Sequence, residues 1–145
     1  MDRHGIGLAI VRICLGVFFV AEGLGKIRWF VNSSMLAAQL AGWLQNVPPG
    51  STSAWYLEHV AIPGAAYFAR LVPLGEMSCG VALVLGFRTP VFALVAFLMA
   101  LNFQFASGAV FRLAFWSSGY GLPVLGSTLG LSIGGVRLPL SVRRG

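Results

Sequence analysis

"LVPLGEMSCGVALVLGFRTP", Leu71 to Pro90, decides the fold. It reads as an apolar run that ends at Gly86 and starts again at Thr89, and it carries one acid, Glu76, in its interior. A charge at the centre of a bilayer costs roughly 2.5–3.5 kcal/mol on insertion scales, so an intramembrane glutamate must be paired, neutral or facing water. Either the run is not a membrane span, or Glu76 has a partner or a task.

The rest of the chain supports the span. Its 145 residues are 57% hydrophobic and only 10% charged, with a mean hydropathy of +0.83. Soluble domains carry about a quarter charged residues. Four apolar segments are predicted, over 6–27, 63–86, 89–108 and 120–136, with a long outer loop over 28–62. At ~1.5 Å per residue the first three cross a ~30 Å hydrocarbon core and the fourth is marginal. The expected architecture is therefore an all-α, polytopic membrane protein: one domain, a four-transmembrane-helix bundle. The first segment lacks an A-x-A cleavage site and continues through Glu22 to Lys26, so it reads as a span and not as a signal peptide.

Ten Lys and Arg against four acids give a net charge of +6. The basic residues stand singly at the ends of apolar runs, apart from Arg143 and Arg144, which favours anionic lipid headgroups over nucleic acid as a partner. Arg3, Arg88, Arg137, Arg143 and Arg144 fall on one side, and Lys26, Arg28 and Arg112 on the other. The positive-inside rule then puts both termini in the cytoplasm of a prokaryotic cell membrane. Cys14 and Cys79 form no CxxC and read as buried free thiols.

Within the loop, "NSSMLAAQLAGWLQNV" opens with capping residues Asn32 to Ser34 and sets Leu36, Leu40, Trp43, Leu44 and Val47 on one face. An amphipathic helix is expected, lying on the membrane or folded over the bundle, broken by Pro48 and Pro49 and followed by a short helical piece, "AWYLEHV". Phe111, Phe115, Trp116 and Tyr120 suit a headgroup belt. Gly126, Gly130 and Gly134 recur at intervals of four and are expected to pack helix against helix. Arg12, Gly16, Gly23 and Lys26 share a narrow arc of the first span, which should face protein.

Depth along the helices suggests the ion pairs. Arg70 and Glu22 each lie 16 residues from the cytoplasmic ends taken at Gly86 and Ile6. Arg12 and Glu76 differ by only four residues on the same scale, ~6 Å of rise. The expected pairs are Glu22 with Arg70 and Glu76 with Arg12, with Lys26 sharing Glu22 one turn away. Such pairs can be purely structural. Alternatively Glu76, and with it Glu22, carries protons beside a small-molecule cavity. Asn102, Gln104 and Ser107 add polar groups near the outer end of the third span. Asn102 and Gln104, two residues apart, cannot both line one site, and the other is expected to meet a neighbouring subunit or the headgroups.

No metal site is expected, since no Cys/His cluster occurs, and His4 and His59 fall on opposite sides of the membrane, against a shared haem. No phosphate loop or nucleophile motif appears, so the chain has no intrinsic cofactor in this reading.

"VRICLGVFFVAEGLGKI", followed after the loop by "LVPLGEMSCGVALVLGFRTP", resembles the DoxX family of small four-helix membrane proteins. The matching features are the Arg12 and Gly16 entry, the "EGLGK" exit from the first span, and Leu74, Glu76, Gly80, Leu85, Gly86 and Thr89 in the second. The resemblance covers Ile6 to Gly108 and fades in the fourth segment. It implies a four-helix bundle that serves as the membrane subunit of a thiosulfate:quinone oxidoreductase or accompanies other sulfur and thiol redox systems, with Glu22, Lys26 and Glu76 at the family's polar positions. Two functions stay open: a quinone-handling subunit with its inner charges linked to protons, or a non-catalytic accessory subunit of a larger membrane complex. Both imply lipid and other protein subunits as partners.

Overall fold

The computed structural model describes residues 3–142, and every regular element among them is helical. Six α-helices are formed: α1 (Arg3–Gly25), α2 (Ser34–Asn46), α3 (Thr52–Tyr56), α4 (Ala65–Leu85), α5 (Thr89–Ala106) and α6 (Leu122–Gly134). Helices α1, α4 and α5 have 23, 21 and 18 residues and are apolar enough to cross a membrane. At ~1.5 Å per residue they run about 27–35 Å. Helix α6 has 13 residues, about 20 Å, and is too short to cross alone. The segment expected over 120–136 is thus trimmed at both ends, by Pro123 in its first turn and by Gly135 just past its last.

Helix α1 lies along α4, α5 lies along α6, and contacts of α4 with α5 and of α1 with α6 close the bundle. The α4–α5 corner is tight because Gly86 takes a left-handed conformation, φ 70°, which lets Phe87 N–H reach the Ala82 carbonyl at 2.8 Å. Arg88 follows at φ 42° and Pro90 opens α5. Pro73 sits buried inside α4, where its missing N–H leaves the carbonyl one turn earlier without its helical partner.

Two apolar cores divide the molecule. At the loop end, Trp29, Leu36, Leu40, Val47, Leu57 and Ala69 clamp the connecting segment onto α4 and α5. At the other, Leu15, Phe19, Cys79, Leu83, Leu131 and Leu138 join α1, α4 and α6. The amphipathic helix forms as α2 and folds over the bundle: Leu36 and Leu40 are buried, and Trp43 and Leu44 pack partly under it. Its N-terminus is closed by Asn32, whose Oδ1 accepts from Ser34 N–H at 3.1 Å. The short piece after the prolines is α3, capped by Ser51 and running into a wider turn over Leu57–Ala61.

Two expectations about small and aromatic residues are corrected. Within this chain the glycines of α6 do not pack: Gly126, Gly130 and Gly134 are exposed, and a Cβ at Gly126 or Gly130 would meet nothing within 4 Å. Helix α6 instead turns Val124, Leu125, Thr128 and Leu131 inward, because these side chains fill the gap to α1 and α5 and glycines cannot. Close approach occurs between α1 and α4. A Cβ on Gly16 would lie 2.7 Å from the Gly80 carbonyl, and one on Gly80 would lie 2.7 Å from that of Gly16. Gly23 meets Met77 and the Pro73 carbonyl in the same way, one to two turns on. The second correction concerns the aromatic belt, since Phe115 is buried while Phe111, Trp116 and Tyr120 are exposed. Cys14 likewise lies on the exposed side of α1, and only Cys79 is buried.

Candidate functional site

The glycine contacts fix how far α1 slides along α4, and this decides which charges meet. Gly16 lies against Gly80 and Val84, Gly23 against Pro73 and Met77, and Arg12 beside Gly86. The level of Gly86 is therefore that of Arg12, six residues further along α1 than Ile6, or ~9 Å. Neither expected ion pair survives this shift. Arg12 is too close to the terminal end to reach Glu76, and Arg70, exposed, turns back to the Ala66 carbonyl of its own helix at 2.7 Å. Glu22 and Glu76 come level with each other.

Lys26 lies between them. Its Nζ donates to Glu22 Oε2 at 2.8 Å and to Glu76 Oε1 and Oε2 at 2.8 and 2.9 Å. One ammonium thus serves two carboxylates, the first four residues earlier in the last turn of α1 and the second on α4. The Phe103 ring of α5 lies 5.6 Å from the same Nζ, within cation–π range. The Glu76 side chain is 5% exposed and that of Glu22 is 32% exposed, so the cluster runs from the bundle interior toward its surface.

That surface is the wall of a cavity of about 230 Å³. Phe18, Phe19, Trp43, Phe103 and Val124 supply its apolar lining, and Glu22, Lys26, Glu76, Gln39, Gln104, Ser107 and Tyr120 its polar groups. It lies between the two cores, with α2 contributing Gln39 and Trp43 from the folded-over loop. Gln104 also holds the chain on the far side, donating from Nε2 to the Tyr120 carbonyl at 3.0 Å. Asn102 points elsewhere, as the spacing requires. Its Oδ1 accepts from Tyr56 O–H at 2.8 Å, so this chain's own α3 supplies a partner for it.

Arg12 occupies a separate site at the other end of the bundle. It is fully buried and donates to the Leu140 carbonyl at 2.7 Å and to the Ser141 hydroxyl. Val142 N–H binds the Leu85 carbonyl at 2.9 Å, so the segment after α6 is strapped under the α4–α5 corner. The Arg12 Nε has no hydrogen-bond partner among the described residues.

Residues 7–108, from the second turn of α1 through the end of α5, match the model of the DoxX family. The chain belongs to the DoxX family. No curated protein and no solved structure matches it. The family match takes in Glu22, Lys26 and Glu76 with most of the cavity wall, while Tyr120 and Val124 lie beyond it. This DoxX chain is an integral membrane protein whose apolar helices face lipid. All three charged residues of the cluster stand out in the sequence, but their spacing does not bring Lys26 to Glu76. Tyr120, expected in the headgroup belt, is a wall of the site.

Proposed function

We propose that this DoxX chain is the membrane subunit of a quinone-linked oxidoreductase, with the cavity taking the quinone ring and the Glu22–Lys26–Glu76 cluster exchanging the protons that accompany its redox change. The reading is carried by one observation: the Glu22–Lys26–Glu76 cluster stands in the wall of an aromatic-lined cavity with Glu22 partly exposed, where purely structural charges would be sealed between helices. Ligand sites combine apolar walls with a few convergent polar groups, and intramembrane ionisable residues commonly serve proton paths. A volume of about 230 Å³ suits one ring, the hydrocarbon tail staying in lipid. Reduction of a quinone to a quinol takes two electrons and two protons. The electrons come from a redox protein docked on the loop side, and the protons pass through the cluster. By the Lys/Arg count, that side faces away from the cytoplasm.

A second reading, an accessory subunit of a larger membrane complex, is favoured by the exposed Gly126, Gly130 and Gly134 on α6, a face that allows another helix to approach closely. Gentle detergent extraction followed by mass spectrometry separates the two. A bound quinone together with a redox enzyme is expected, and Glu76→Gln should then lower turnover while quinone still binds. A complex complete in its own cofactors, with no quinone on this chain, overturns the first reading in favour of the second.

A further inference from the structure

The charges around the cavity do not balance. Helix α1 contributes Glu22, its end at Gly25 is followed by Lys26, and α4 contributes Glu76; α2 and the α5 end add only the neutral polar groups of Gln39, Trp43, Gln104 and Ser107, and the approach to α6 adds the Tyr120 hydroxyl. Two carboxylates and one ammonium leave an excess negative charge between Phe18, Phe19 and Phe103. In so apolar a setting an uncompensated charge is unfavourable, and a single proton removes it.

We propose that Glu22, not Glu76, holds this exchangeable proton, and that Tyr120 is the positioning residue that fixes the protonated carboxyl at the mouth of the cavity. Lys26 donates to both oxygens of Glu76, which is almost fully buried. A proton there would have to displace an N–H donor. Glu22 gives only Oε2 to Lys26. Its Oε1 faces the Tyr120 hydroxyl at 3.4 Å, a long contact for an O–H···O bond, so this oxygen is the one with a lone pair to spare. Protonation forms one O–H bond on Oε1 from a proton delivered by water on the loop side, and takes the cluster from −1 to neutral. The new O–H then donates to the tyrosine oxygen or to a ligand carbonyl.

Tyr120 is held for this role from three directions. Its carbonyl accepts from Gln104, its own N–H binds the Ser118 hydroxyl at 3.3 Å, and its ring packs at 5.5 Å on Phe18. It lies outside residues 7–108, the part of the chain that the family model matches. The inference rests on the cavity being the working site, but not on its ligand being a quinone.

The test is infrared difference spectroscopy of the full chain in lipid nanodiscs, titrated from alkaline to acid with no quinone added, alongside a separate binding measurement with a short-chain ubiquinone. Beyond the bands of the other side-chain carboxyls, Asp2 and Glu58, which every variant shares, one further carboxylic C=O band should appear on acidification. It should vanish in Glu22→Gln, persist in Glu76→Gln but appear only at lower pH because Lys26 then balances Glu22, and move to higher frequency in Tyr120→Phe, which keeps the ring packing and removes the hydroxyl. A further band that survives Glu22→Gln and is lost in Glu76→Gln overturns the assignment, as does the absence of any band beyond those the variants share. A band unmoved in Tyr120→Phe removes Tyr120 from the site. Failure of ubiquinone binding with the expected bands intact would sink the quinone reading and leave this one standing.

Discussion

Arg12 of α1 and Lys26, just past the last residue of that helix, are both cations held inside the bundle, one toward each end, and their surroundings differ in kind. Lys26 meets two carboxylates and the wall of a cavity. Arg12 meets a backbone carbonyl and a serine hydroxyl, sealed beneath the strap that follows α6. A guanidinium that only satisfies backbone and hydroxyl oxygens ties chain segments together. An ammonium that bridges two carboxylates beside a space large enough for a ring can also move charge. The comparison separates a clasp from a site, although Lys26 continues the arc of α1 on which Arg12 lies.

The sharpest way to break this contrast is to remove each cation. Lys26→Met leaves two carboxylates facing each other with no partner, and stranding buried charges of this sort costs about 3–5 kcal/mol. Thermal unfolding in detergent should show that loss at neutral pH and recover part of it in acid, where neutral carboxyls need no counter-ion; a pH-independent loss would contradict the cluster. Gly16→Ala forces a methyl against the Gly80 carbonyl and Val84. It should destabilise by about 1–3 kcal/mol as overpacking and weaken the Lys26–Glu76 contact by prising α1 from α4.

Arg12→Met should cost about 1–2 kcal/mol, from the unpaired Leu140 carbonyl and Ser141 hydroxyl. That loss should be the same in acid and at neutral pH, and it should make residues 137–142 open to protease. If it abolished ligand binding at the other end, the two regions would not be separable. The smallest effect is expected at Gly130→Ala, on the exposed face of α6. Nothing lies within 4 Å, and the helix gains up to about 1 kcal/mol from losing a glycine. A marked loss of stability in the native membrane would show that face to be covered by another protein.

Much of the architecture could be read from the residues. The three long helices lie within three residues of the apolar runs that announced them, and the face Leu36, Leu40, Trp43, Leu44 of α2 follows from helical spacing alone. The pairing could not, because depth was counted from Ile6 and Gly86 as though they were level, while backbone contact at Gly16 and Gly80 sets the slide of α1 on α4. Periodicity showed that Gly126, Gly130 and Gly134 share a face without saying which way it turns. Tyr120 carried no signal, since an aromatic at a span end suits a headgroup belt as well as a cavity wall.

The most direct test of the Lys26-centred site is a pair of double-mutant cycles read by unfolding in detergent, Lys26→Met with Glu76→Gln and Arg12→Met with Glu76→Gln. The first should show coupling of about 1–3 kcal/mol, and the second should be additive within roughly 0.5 kcal/mol. Additivity in the first cycle together with coupling in the second would contradict the account, and would return Glu76 to a structural pair with Arg12.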